Sequence, residues 1–152
     1  MMRLMNNFNQ LKSMKIGQSK YFTWAEALYL KELNAYAYPT IPQAAEIEKL
    51  AMKLDIIREF FGQPIIITSW LRPEKYNRLI GGATFSQHRN GMAVDFSVNG
   101  LSAEYVRQEL KKRPDLIQGL SFETGITWVH IQNDGRSIWF PPPPKKKGLL
   151  DD

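Results

Sequence analysis

Ser86–Phe96 reads SQHRNGMAVDF, and two patterns meet in it. From Met92 onward, MAVDFSV alternates, which predicts a strand with Met92, Val94, Phe96 and Val98 on one face and Ala93, Asp95 and Ser97 on the other. Ahead of it, QHRNG is a polar loop in which Gly91 allows a sharp backbone bend. His88, one of only 2 histidines in the chain, therefore sits at the mouth of a strand that carries Asp95. The neighbours of Asp95 on its face are small, which leaves room beside the carboxylate.

Upstream, PIIITSW (64–70) is β-branched and apolar enough to be a strand covered on both sides. Before it, Ile47, Leu50, Ala51, Leu54 and Ile57 recur at three- and four-residue spacing between charged residues, predicting a core-covering helix over 44–60 that ends at Gly62. Thr23 and Glu26 make a capping-box pattern for a helix running to about Leu33, followed by a loop with Pro39 and Pro42. After Arg72, PEKYNRLI suits a short helix closed by Gly81-Gly82.

Downstream, Ser102 caps a helix through about Lys112 with Tyr105, Val106 and Leu110 inward. GLSFE, the turn Thr124-Gly125 and ITWVHI read as an antiparallel hairpin that places Trp128, His130 and Gln132 on one face. Asn133-Asp134-Gly135 is a further hairpin turn before a last strand, RSIWF. The expected fold class is α+β, a small antiparallel sheet with helices packed on one side. Its expected limits are an irregular arm at 1–20, a domain at 21–140 and a Pro/Lys-rich tail at 141–152.

A chain of 152 residues with 43% hydrophobic and 23% charged content suits one domain with a real core. It has no cysteine, so thiolate metal sites and disulfides are excluded and His, Asp and Glu remain as metal ligands. The net charge of +5 favours polyanionic surroundings such as nucleic acid or an acidic cell wall, although Lys145, Lys146 and Lys147 supply three of those charges. No binding motif or basic stripe interleaved with aromatics points to nucleic acid, and no stretch has the length of a membrane span. The N-terminus lacks an apolar signal-peptide core, so synthesis in a cytoplasm is expected.

Two imidazoles and a carboxylate form a donor set that suits zinc at a catalytic site with one position left for water. Such a site favours amide hydrolysis. His88, Asp95 and His130 are the candidates, and their spacing alone is a weak signal.

The segment ITSWLRPEKYNRLIGGATFSQHRNGMAVDF resembles the core signature of the M15 peptidases, the zinc D-Ala-D-Ala carboxypeptidase and L-Ala-D-Glu endopeptidase group that includes many phage endolysins. The matching pieces are the TSxxR strand end, the block carrying Ser86, His88, Gly91, Ala93 and Asp95, and the WVHI strand, in that order. The resemblance covers roughly Tyr21 to Phe140 and implies a hedgehog/DD-peptidase-like fold. It implies one zinc ion held by His88, Asp95 and His130, with Arg72 contacting substrate or a developing oxyanion and Ser86 ordering the loop or binding peptide.

The family's better-known members carry a glutamate three residues before the last histidine, where this chain has Thr127. Glu123, across the Thr124-Gly125 turn, is the nearest acid and the candidate general base, with Asp134 a poorer one. The expected function is a zinc peptidase of the cell-wall peptide stem, its partner bacterial peptidoglycan, acting after release from the host cell or carried in a virion. The alternative is a virion structural or interaction protein that keeps the zinc fold with weak or no peptidase activity and binds phage structural proteins.

Overall fold

Thr40 and Gln43 cap each other: the Thr40 hydroxyl accepts from Gln43 N at 3.3 Å, and the Gln43 side-chain carbonyl accepts from Thr40 N at 2.8 Å. This pair opens a helix (α3, Ile41–Phe61) that ends where Gly62 turns left-handed at φ 65°. Its Ile47, Leu50, Ala51, Leu54 and Ile57 are all fully buried, which confirms the expected stripe. Full burial of each large aliphatic side chain contributes about 1.5–3 kcal/mol, so this stripe anchors the molecule.

The structure, a computed structural model, describes residues 2–142 and 144, with the backbone alone for 2–7. Of the Pro/Lys-rich tail, residue 143 and residues 145–152 lie outside the described residues. In chain order the remaining elements are α1 (Met2–Ser13), α2 (Trp24–Leu28), β1 (Tyr29–Leu30), β2 (Ala35–Tyr36), β3 (Ile65–Ser69), α4 (Glu74–Leu79), β4 (Ala93–Val98), α5 (Ala103–Lys111), β5 (Ser121–Glu123), β6 (Val129–Gln132) and β7 (Trp139–Phe140). β1 and β2 form a two-stranded antiparallel ladder, and the other five strands form a sheet in the order β3-β4-β6-β5-β7. The fold is α+β. Among the described residues no helix is long and apolar enough to cross a membrane.

The sheet has two unlike faces because its strands alternate in phase. Val94 pairs with Ile131 and Phe96 with Val129, and all four are fully buried in one core with the α3 stripe and with Val106 and Leu110 of α5. Asp95 pairs with His130, and His130 with Glu123, on the opposite face. That face forms the floor of a cleft.

Several expectations change. The arm expected to be irregular is helical over Met2–Ser13: the segment contains no glycine or proline, Phe8 stacks on Tyr38 at 4.9 Å, and Ile16 just beyond is fully buried. The Thr23–Glu26 capping box is present, but α2 stops at Leu28, and the β1–β2 ladder with a 3₁₀ turn (Lys31–Leu33) replaces the rest of the expected helix and part of the expected loop. β3 is an edge strand with Ile66 49% exposed, so it is covered on one side only. In α5 it is Arg107, not Tyr105, that is buried with Val106 and Leu110. The segment after Asn133-Asp134-Gly135 does not fold back on β6. It crosses to the far edge, where β7 runs parallel to β5 through Phe122↔Trp139 and Glu123↔Phe140. The Phe122–Trp139 ring stack at 4.3 Å holds that pairing.

Candidate metal and catalytic site

Asp95 and His130 face each other because β4 and β6 place them in register, so the imidazole meets the carboxylate with no loop to order. His130 Nδ1 lies 2.7 Å from Asp95 Oδ1. His88 arrives differently. Ser86 caps a 3₁₀ turn (Gln87–Asn90) by accepting from His88 N at 3.2 Å, and Gly91 leaves the turn at φ 75°. A Cβ at Gly91 would come within 2.9 Å of Ile47 Cγ1 and 3.0 Å of Gln43 O, so both the backbone angle and the close approach to α3 require glycine. Gln43 Nε2 donates to Arg89 O at 3.0 Å, Arg72 N to His88 O at 2.9 Å, and Trp70 Nε1 to Gly91 O at 3.1 Å. The turn is thereby tied to α3 and to the end of β3.

The three side chains converge. One ligand atom from each of His88, Asp95 and His130 lies within 4.8 Å of the others, and all three residues are buried. Neighbouring groups fix which nitrogens are free. His88 Nδ1 donates to Trp70 O at 2.7 Å, so Nε2 keeps its lone pair; it lies 3.2 Å from Asp95 Oδ1, to which a bare nitrogen has no proton to donate, and is a buried nitrogen with no hydrogen-bond partner. On His130, Nε2 donates to Gln132 Oε1 at 3.0 Å, and Nδ1, bonded to Asp95 Oδ1, is the atom that faces the centre. Gln132 in turn donates to Asp134 at 2.9 Å, and Asp134 accepts from Ser121 Oγ and from Arg136 N and Nε. This is the outer arrangement that orients metal-ligating imidazoles. Two imidazole nitrogens, one carboxylate oxygen and an orphaned buried lone pair fit a divalent metal, and the donor set suits zinc.

Burial and neighbouring charges act differently on the three groups. Burial alone would raise the Asp95 carboxyl, but the adjacent imidazoles of His88 and His130 hold it far below the ordinary carboxylate range. Burial lowers His88, favouring its neutral form. On His130 burial works against the charge, yet the bond to Asp95 raises its pKa on balance. Arg72 Nη2 donates to Asp95 Oδ2 at 2.9 Å and its Nε to Ser69 Oγ at 2.9 Å, so one carboxylate oxygen is engaged and the other faces the imidazoles. A β-bulge between Ile67 and Ser69 brings Ser69 opposite Asp95, where it can steady that guanidinium.

Glu123 is beside the site. Its Oε2 lies 4.0 Å from His130 Nδ1, and burial raises its carboxyl above the usual range. Thr127 is exposed in the segment before β6, so the acid near the histidines comes from the neighbouring strand. A cleft of about 620 Å³ opens over the cluster, lined among others by Glu32, Phe85, Ser86, Trp128 and Arg136. The structure thus brings together six of the sequence candidates, Arg72, Ser86, His88, Asp95, Glu123 and His130, while Asp134, the poorer candidate base, stands behind Gln132.

Sequence reasoning missed the supports. Gln132 had a signal, since alternation already puts it on the face of His130. The Trp70 carbonyl and Glu32 had none, the first being main chain and the second reaching the cleft from the β1–β2 turn. The sequence model of the family Peptidase M15 matches residues 20–132. No curated protein matches the chain.

Proposed function

This chain belongs to the M15 peptidase family, a family of metallopeptidases, and from that premise we propose that it is a zinc-dependent peptidase hydrolysing an amide of the bacterial cell-wall peptide stem. One observation carries the reading: His88 Nε2, Asp95 Oδ1 and His130 Nδ1 converge beneath an open cleft with the Glu123 carboxylate beside them. Those three atoms would hold the ion. When bound, zinc supplies the Lewis acidity that activates water and polarises a carbonyl.

The remaining work falls to side chains. Glu123, with its carboxyl raised by burial, is the general base: it takes the proton of the attacking water and returns it to the leaving amine. Arg72 is fixed by Asp95 and Ser69, and its remaining N–H donors meet a substrate carboxylate or the developing oxyanion. Ser86 orders the His88 turn and lines the cleft, where it can also meet the peptide. The basic net charge suits an anionic wall. Access to that wall follows lysis of the producing cell or carriage in a virion.

Incubation of the zinc-loaded protein with purified sacculi, followed by mass spectrometry of released muropeptides, tests the reading. New stem-peptide termini are expected, abolished by chelation and restored by zinc. Glu123→Gln should retain the metal and lose about 10²–10⁴ in kcat. An intact wall after incubation with fully zinc-loaded protein would sink the enzymatic reading and favour an interaction module.

A further inference from the structure

Arg107 is 3% exposed, an unusual position for a guanidinium on a helix. A surface pair with Glu104, three residues earlier, would not require it to turn inward. Its Nε and Nη2 do meet Glu104 Oε2, at 3.2 and 3.0 Å. The other donors reach across the chain: Nη1 to Trp128 O at 2.9 Å and Nη2 to Ile126 O at 2.8 Å. Burying this charge is unfavourable unless the inward donors are met, and here main-chain carbonyls of one segment meet them.

That segment, residues 124–128, joins β5 to β6 and belongs to neither strand. It connects Glu123 to the strand carrying His130. One end is fastened to β7, where Thr124 N donates to Phe140 O at 2.8 Å and Thr124 Oγ1 to the same oxygen at 3.2 Å. The other end is fastened by Arg107. Between them, Ile126 and Trp128 present side chains to the cleft, and Trp128 is 42% exposed. A planar fork reaching two carbonyls fixes direction as well as distance, which an ammonium cannot do.

We propose that Arg107 is a positioning residue for substrate recognition: by taking the carbonyls of Ile126 and Trp128 it fixes segment 124–128 as the apolar wall against which the peptide lies. The inference rests on the peptidase reading of the cleft. The wall acts on ground state and transition state alike, so its loss weakens binding more than turnover.

The test uses the full zinc-loaded chain and Arg107→Lys, which keeps the charge and loses the fork. Amide hydrogen exchange, zinc stoichiometry, and KM and kcat on a stem peptide are measured. Exchange over 125–129 should rise about tenfold while β4 is unchanged, zinc content should hold, and KM should rise about tenfold with kcat within about twofold. Glu104→Gln, which removes only the exposed anchor, should show the same pattern at smaller amplitude and replaces the lysine variant if that fails to fold. Unchanged exchange in the segment, exchange rising evenly across the sheet, or a fall in kcat at constant KM would each overturn the proposal. Absence of cleavage by the wild type would count against the peptidase reading, while the exchange measurement still decides the clamp.

Discussion

Asp95, Glu123 and His130 reach the cleft from a β-ladder, whereas Arg72, Ser86 and His88 reach it from turns. In the first group the register Asp95↔His130 and Glu123↔His130 sets the geometry, and main-chain hydrogen bonds along three strands maintain it. In the second group position depends on individual bonds: His88 Nδ1 to Trp70 O, Arg72 N to His88 O, and Trp70 Nε1 to Gly91 O. A ladder tolerates the loss of one bond because its neighbours keep the strands aligned. A turn held by a handful of bonds to other elements has no such reserve. The two halves of the site should therefore fail differently, the ladder half in chemistry and the turn half in folding.

Asp95→Ala is the severest test, since Asp95 joins the halves. It removes a ligand oxygen and leaves the largely covered Arg72 without its charge partner, for which a cost of up to about 3 kcal/mol is expected in denaturant unfolding, together with loss of bound zinc. Gly91→Ala attacks the turn. With φ at 75° and Ile47 Cγ1 2.9 Å from the new Cβ, about 1–3 kcal/mol of stability should be lost, and spectroscopic changes should centre on His88 while His130 is left in place.

Gln132→Ala attacks the ladder. Removing the acceptor for His130 Nε2 should cost about 10–100-fold in zinc affinity by competition titration, with little change in unfolding midpoint. A variant that unfolds easily while keeping full zinc affinity would reverse the assignment of roles. The mildest test is pH. Burial would raise the Asp134 carboxyl, but Gln132, the Arg136 main chain and side chain, and Ser121 hold it at about 2 against an ordinary 3.8. Its contribution is therefore complete above the ordinary value and lost as pH falls toward 2. The stability gap between wild type and Asp134→Asn should be constant from neutrality to about pH 5 and close below pH 4.

The same contrast explains what could be read from the residues in advance. Asp95, His130 and Gln132 follow from alternation, and Glu123 from the hairpin, because a two-residue period fixes a face. His88 is a candidate from its place at the strand mouth, and Arg72 and Ser86 come from the resemblance, since nothing in the spacing of turn residues fixes where their side chains meet. Strand signals locate β7 but not its partner: antiparallel return to β6 and parallel pairing with β5 require the same residues at Trp139 and Phe140. The 3.6-residue period of α5 turns Arg107 inward as readily as Val106, yet the two carbonyls that make burial tolerable lie 19 and 21 residues away. β1 and β2 are two residues each, too short for any periodicity to register.

The bulge in β3 gives the strand a reading frame. Ile65, Ile66 and Ile67 pair with Val98, Ser97 and Phe96, and one residue, Thr68, is then skipped before Ser69 meets Asp95. Thr68 is a single-residue frameshift: odd-numbered positions turn to the core before it and to the cleft after it. Continued one for one from Ile65↔Val98, the pairing would seat Thr68, not Ser69, opposite the carboxylate. Excising Thr68 would bring both halves of the strand into one frame and still leave a serine there. Inserting one residue before Ile67 would instead turn an isoleucine out of the core, so length changes on either side of the bulge are not equivalent.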